Sequence, residues 1–448
     1  MGRLADNLTE MVRRLFLLLA LVIVVAACTN GSTTTSTDSS GGTVTTTSGS
    51  PETTSEIPEG TTTTVAPTWT ELPGLDALPQ EIQDELLELV RLTEEVRDLK
   101  FSEPPTITIV TNAELEERVR ALIEEDAEDF PADEALYKLL GLLDPEADLE
   151  AMLTDLYGEQ VAGFYDGETG ELVVPIREEG FSVVQRGTLV HELTHAVTDQ
   201  HFEFDPVINQ MFDDDRLDQV SAFQGLVEGD ASMAEILYLQ TLSQRELGEF
   251  MAEALQIDTS ALDSSPQFIQ DSLIFPYDAG LAFVQRLYTA GGWEAVNEAY
   301  STLPDLPGST EQVITPSDYR RDLPADVTLV DIPLSGYNLE RQSVWGELGF
   351  RIMLDQVLGE TVGVEAADGW GGDSYFQWFD GVNAAFVIAY VGDTQRDFDE
   401  LKEALVAYAV TAVPEEDYVW VEEIDGQLYF IAADDPEVGL SILSAVKE

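Results

Sequence analysis

The sequence predicts an α+β protein: a mainly helical body with a small β-hairpin at its edge, followed by a C-terminal layer in the order β-β-α-β-β-α. Three observations carry this. Apolar residues recur at helical spacing through most of 78–358, short β-branched runs bounded by turn residues interrupt that pattern, and strand-like alternation dominates from about residue 374.

Taken in order, the globular part begins near Leu78, where Pro79 precedes a helix to about residue 99 built on Leu86, Leu87, Leu89, Val90 and Val96. A β-branched strand follows at 106–110. Thr111 and Glu114 then form a capping box that opens a helix to about residue 124. Segments 161–165 and 171–175, joined by Asp166-Gly167-Glu168-Thr169-Gly170, predict a hairpin. Two long helices come next, at about 183–202 and 216–243, and further helices run to about 358. The tail reads as strands at 374–379 and 384–391, a helix at 395–410, a hairpin turning at Asp425-Gly426, and a last helix after Pro436. These elements divide the chain into 1–27, an export signal; 28–75, a linker; 76–360, the helical body; and 361–448, the α+β layer.

Composition bounds the function. The chain has 448 residues, 44% of them apolar and 9% aromatic, which is enough to bury a substantial core. It carries 86 acidic against 21 basic residues, a formal charge of -65, and such a surface repels phosphates, so nucleic acid is excluded as a partner. With one cysteine, Cys28, no intramolecular disulfide can form. Arg13-Arg14, an apolar run from Leu15, and the small residues Ala26-Ala27 have the basic head, hydrophobic middle and small-residue tail of an export signal. Val25-Ala26-Ala27-Cys28 resembles the lipobox of bacterial lipoproteins, which implies a lipidated Cys28 and a membrane anchor outside the cytoplasm. The Thr/Ser/Gly/Pro-rich stretch after it cannot form a core; as a coil of about 40 residues it reaches roughly 35 Å.

All three histidines of the chain lie in the run His191-Glu192-Leu193-Thr194-His195-Ala196-Val197-Thr198-Asp199-Gln200-His201. On a helix, residues four apart differ by about 40° around the axis and about 6 Å along it, so His191 and His195 can meet at one ion, expected to be Zn2+. Glu192 emerges about 100° away, beside the ion rather than on it. A carboxylate there can act as catalytic base toward a metal-activated water, the chemistry of the HExxH pattern.

Two residues compete for the third metal position. His201 has the spacing of the HExxHxxGxxH pattern, but Thr198 stands where that pattern needs glycine. On a continuing helix His201 falls about 9 Å beyond His195 and about 120° off its direction. Glu228, in Gly225-Leu226-Val227-Glu228-Gly229-Asp230-Ala231, is the preferred candidate, because a carboxylate on an apolar helix face needs a partner. Gly225 and Gly229 are expected to let the two metal-bearing helices approach closely, with Asp230 placed to support a ligand histidine.

These segments resemble a group of bacterial exported proteins with gluzincin-type, zincin-like metallopeptidase features, in which HELTHALQDQHF-like and LVEGDA-like motifs recur together. The likeness runs from about residue 78 to the end and includes Tyr157-Gly158-Glu159-Gln160 through Asp166, Phe275-Pro276-Tyr277-Asp278, Gly291-Gly292-Trp293 and Gly369-Trp370-Gly371-Gly372-Asp373. The resemblance implies a zinc metallopeptidase acting on peptide or protein, Glu228 as third ligand, and 161–165 as an edge strand against which an extended peptide pairs. The chain departs at Thr315, where members often carry histidine. Tyr277 and Tyr165 are then the candidate hydroxyl donors for the transition state. A non-catalytic surface lipoprotein with a structural metal is the alternative expectation.

Overall fold

The computed structural model describes residues 69, 71–125, 130–160, 163–176, 180–414 and 417–448. The expected signal, Cys28, nearly all of the linker, and residues 161–162 of the expected hairpin lie outside them. No helix among the described residues is long and apolar enough to cross a membrane.

The architecture is α+β. Helix α1 (Gln80–Arg97) leads to strand β1 (Thr106–Val110) and helices α2 (Asn112–Glu125), α3 (Phe130–Leu139) and α4 (Leu149–Gln160). Strands β2 (Phe164–Asp166) and β3 (Glu171–Pro175) form the expected hairpin, and β1 joins β3 in parallel, giving a three-stranded sheet in the order β1-β3-β2. Next come α5 (Val183–Phe202), α6 (Phe204–Asp213), α7 (Leu217–Leu239), α8 (Gln244–Ala254), α9 (Ser260–Ser264), α10 (Gln267–Ala299) and α11 (Thr310–Ile314).

The C-terminal layer follows the expected order with one addition. Strand β4 (Asn338–Ser343) precedes α12 (Gly346–Leu358), α13 (Glu360–Ala367), β5 (Trp370–Phe379), β6 (Ala384–Gly392), α14 (Gln395–Thr411), β7 (Tyr418–Ile424), β8 (Gln427–Ala433) and α15 (Pro436–Val446). These strands make a five-stranded antiparallel sheet in the order β4-β5-β6-β8-β7. The sheet therefore draws in residues well before 361.

Period-two alternation sorts its side chains onto two cores. Tyr375, Phe386, Ile388, Tyr390, Leu428 and Phe430 face α3, α12 and α14, whereas Phe376, Trp378, Val387 and Ile431 face α15 and the segment 327–334. The buried carboxylate of Asp373 fastens β5 to the start of α12, accepting from the N–H groups of Trp345 (2.7 Å) and Gly346 (2.8 Å) and from Trp370 Nε1 (2.8 Å). A separate core of α1, α5, α6, α7 and α10 fills the helical body.

Helix α7 is the axis of that body, buried on every side from Gly225 to Glu235. Its glycines do not serve the contact expected of them. A methyl group on Gly229 would overlap the carbonyl of Gly280 in α10, and one on Gly280 would overlap the carbonyl of Gly225. The close approach is thus between α7 and α10, and the contact with α5 is relieved instead at Gly187, where a Cβ would stand 2.9 Å from Glu235 Oε1. Gly229→Ala should lower the unfolding free energy by about 1–3 kcal/mol through overpacking. Gly248→Ala, in α8 with nothing within 4 Å of the added methyl, should be neutral or slightly stabilising. Equal chemical-denaturation midpoints for the two variants would contradict the close approach.

Candidate metal centre

Helix α5 starts at a complete capping box: Ser182 Oγ accepts from Gln185 N–H (3.3 Å), and Gln185 Oε1 accepts from Ser182 N–H (3.1 Å). From there the helix runs without a break to Phe202, so the turn carrying His191, Glu192 and His195 is rigid and buried. The imidazole rings stand edge to face with centroids 4.8 Å apart.

Glu228 reaches them from α7. Its Oε2 lies 3.1 Å from His191 Nε2 and 3.5 Å from His195 Nε2, and one ligand atom from each of the three residues falls within 4.8 Å of the others. Three ligands of a four-coordinate metal, each at about 2.1 Å, sit roughly 3.4 Å apart, which is the spacing found for both Glu228 pairs. His195 Nε2 and Glu228 Oε1 are buried with no hydrogen-bond partner. Leaving such atoms unpaired costs about 1–3 kcal/mol each, and a shared cation removes that cost. The donor set therefore fits a divalent metal ion, with His191, His195 and Glu228 as the residues able to hold it.

Electrostatics reinforce the fit. Burial works against charge on Glu228, yet the two imidazoles overcome it and hold its carboxyl well below the usual range. Burial also opposes charge on His191, but Glu228 and Glu235 outweigh it and push that imidazole up. Glu192 is raised to about 8, by burial first and by the Glu228 charge, with His191 opposing. A pocket this rich in negative charge holds a proton until a cation replaces it.

Glu192 is positioned by the neighbouring sheet. Tyr165 N–H, on β2, donates to Glu192 Oε2 (2.8 Å), while Glu192 Oε1 is buried with no hydrogen-bond partner. Strand β2 is an edge strand, as expected, but its outward N–H at Tyr165 is already engaged by Glu192. The Tyr165 hydroxyl is turned away as well, donating to Asp199 Oδ2 (2.7 Å). Tyr277 remains beside the ligands: its ring lies 6.3 Å from that of His191, and burial followed by the Glu228 charge keeps its phenol protonated.

One competing candidate falls away and one expected role changes. His201 is exposed at the end of α5, its Nε2 2.7 Å from the carbonyl oxygen of Lys100, and takes no part in the cluster. Asp230 does not support a histidine. Two residues beyond Glu228 it points about 200° away, and there it pairs with the fully buried Arg97 (Nε to Oδ1, 2.6 Å) and accepts from the Tyr300 hydroxyl (3.1 Å). The carboxylate behind His191 is Glu235, whose Oε2 lies 3.6 Å from Nδ1. Its signal was available: seven residues after Glu228, it lies within about 20° of the same helix face.

A cavity of about 370 Å³, lined mostly by apolar side chains, lies between α7, α10 and the C-terminal layer, and none of His191, Glu192, His195 and Glu228 lines it. Gln224, one turn before Glu228, lines it with Phe275 and Pro276, which precede Tyr277, and its far wall includes Tyr157, Phe268 and Trp345.

Glu228→Ala should abolish binding of a stoichiometric metal ion, while His201→Ala should leave it unchanged, as read by elemental analysis of purified protein. Binding at pH 7 should also release a proton from His191, seen as a buffer-dependent calorimetric enthalpy. Metal loss only in the His201 variant would overturn the ligand assignment.

Residues 335–440, from just before β4 into α15, match a family model described as a domain of unknown function (DUF8575). That segment contains none of His191, Glu192, His195 and Glu228. No curated protein matches the chain. Among solved structures the chain is similar to a protein from Chloroflexus aurantiacus described as a "putative hydrolase with a novel fold", at 17% identity and a TM-score of 0.35, over 53% of this chain and 88% of that one.

Proposed function

We propose that the protein is a zinc-dependent hydrolase, acting on peptides or proteins, with His191, His195 and Glu228 as metal ligands and Glu192 as general base. The observation that carries this reading is the convergence of two imidazoles and one carboxylate, from two helices, beside a carboxylate that is not needed as a ligand. Zinc is the ion favoured by a two-histidine, one-carboxylate set, and when bound it supplies Lewis acidity toward a carbonyl and lowers the pKa of water.

The protein's own groups divide the remaining work. Tyr165 N–H fixes one oxygen of Glu192, leaving Oε1 to take the proton lost by water and return it to the leaving amine. Glu235 behind His191 favours the tautomer with its proton on Nδ1, which keeps the Nε2 lone pair toward the metal. Tyr277, held protonated beside Glu228, is the hydroxyl placed to steady negative charge on the substrate oxygen. The neighbouring apolar cavity suits a bulky hydrophobic side chain of the substrate. The N-terminal pattern supports export and anchoring through a lipidated Cys28 on the outer face of the cytoplasmic membrane.

A second reading, a structural metal in a non-catalytic lipoprotein, is favoured by the ligands' exposure of no more than 1%. Glu192→Gln separates the two. It should keep the metal and reduce cleavage of an unbiased peptide library by about 10²–10⁴-fold. A parent protein that cleaves nothing, but loses thermal stability on chelation, would establish the structural reading. Cys28→Ser should move the protein from the membrane fraction to the soluble exported fraction, and an unchanged distribution would remove the lipid anchor.

A further inference from the structure

A second cluster of possible ligands lies apart from the histidines, where the chain after α11 meets the turn between β6 and α14. Glu311 on α11, Asp322 in the following loop and Asp393 in the turn each bring one carboxylate oxygen within 4.8 Å of the other two. Acidic groups gathered at an exposed surface would mean little. Glu311, however, is only 4% exposed, and among the described residues no hydrogen bond or ion pair reaches its carboxylate.

Its surroundings supply no compensating charge. Glu347, Asp393, Asp322 and Asp318 are the groups that act most strongly on Glu311, and all are acidic. The guanidinium of Arg351 is engaged by Glu347 (3.0 Å). The two loops are nonetheless held in place: Ala325 N–H donates to Gly371 O (2.7 Å), Asp393 N–H donates to Gly369 O (3.0 Å), and the Gln312 amide donates to Asp322 O. Three carboxylates gathered this closely, one of them on a residue only 4% exposed, repel one another without a counter-charge.

We propose that Glu311, Asp322 and Asp393 form a calcium site that ties the loop after α11 to the C-terminal sheet. The donors are all oxygens, which select a hard cation over zinc. Their ligand atoms all lie within 4.8 Å of one another, which a cation with Ca–O distances of about 2.4 Å can bridge, and calcium accepts the irregular geometry of ligands from two loops where magnesium demands a near-ideal octahedron. Asp393 is exposed, so water can complete the shell from that side.

The test uses the full chain, stripped over a chelating resin and titrated with CaCl2 alone by calorimetry, with thermal unfolding in parallel. One site with a Kd below about 1 mM is expected, together with a rise in Tm of roughly 3 °C once calcium is in large excess. Asp393→Asn, at an exposed position that does not endanger folding, should weaken binding at least about tenfold, and Glu311→Gln should abolish it. Glu228→Ala should keep the calcium response, which separates this site from the histidine cluster. The proposal is overturned if calcium binds Asp393→Asn and Glu311→Gln as it binds the parent, or if MgCl2 gives the same shift. It is also overturned if calcium does nothing while Glu311→Gln raises Tm without metal, the result expected when the carboxyls share protons.

Discussion

Three side chains with little reason to be buried singly, His191, His195 and Glu228, are driven to the centre of the helical body, and the packing around them follows from that. An isolated carboxylate in such a place would be costly, and two imidazoles with unpaired nitrogens no less so. Together they form a compact set of donors whose mutual spacing already matches the edges of a tetrahedral metal site. A metal ion held there would be both the chemical centre of the proposed activity and the counter-charge for this interior. Glu192 belongs to the same arrangement, but its anchor is a backbone N–H from β2, which keeps it beside the ligands without joining them.

Helix α7 shows how one element serves several demands. Glu228 and Glu235 share a face toward α5, while Asp230, on the opposite side, is neutralised by Arg97 from α1. Arg97 also stacks over Trp293, 4.3 Å from its ring, just after non-helical backbone at Gly291 and Gly292 interrupts α10. The glycines at 225, 229 and 280 bring α7 and α10 together, which sets Tyr277 against the ligand shell. Thr310 meets Asp218, the imidazoles meet Glu228 and Arg97 meets Asp230, so the helix can be apolar in composition and still carry four acidic residues between Asp218 and Glu235.

Much of this was legible in the sequence, for identifiable reasons. The span of α5, the strand at 106–110 and the β-β-α-β-β-α tail follow from period and turn chemistry, and the pairing of His191 with His195 follows from helix geometry alone. Strand β4 was missed because Asn338–Ser343 is polar, mostly exposed and lacks apolar alternation, so only its hydrogen bonds to β5 reveal it. Asp230 turns to Arg97 because its helix phase points it away from α5, whereas Glu235 has the phase that faces His191. Arg97 resembles a basic residue at a helix end, and nothing local marks it as fully buried. The Glu311–Asp322–Asp393 cluster joins residues far apart in sequence, a relation that no local pattern encodes.

The large negative charge sets the background for both candidate metal sites. Acidic residues dominate the chain, and among the buried ones Asp230 pairs with Arg97 while Glu311 meets only other carboxylates. The central claim is the identity and placement of the ion between α5 and α7. Anomalous scattering from crystals of the protein, recorded on both sides of the zinc absorption edge, addresses it directly. A single peak about 2.0–2.2 Å from His191 Nε2, His195 Nε2 and a Glu228 oxygen is the expected result. A peak at His201, or none between the two helices in zinc-loaded protein, would contradict it.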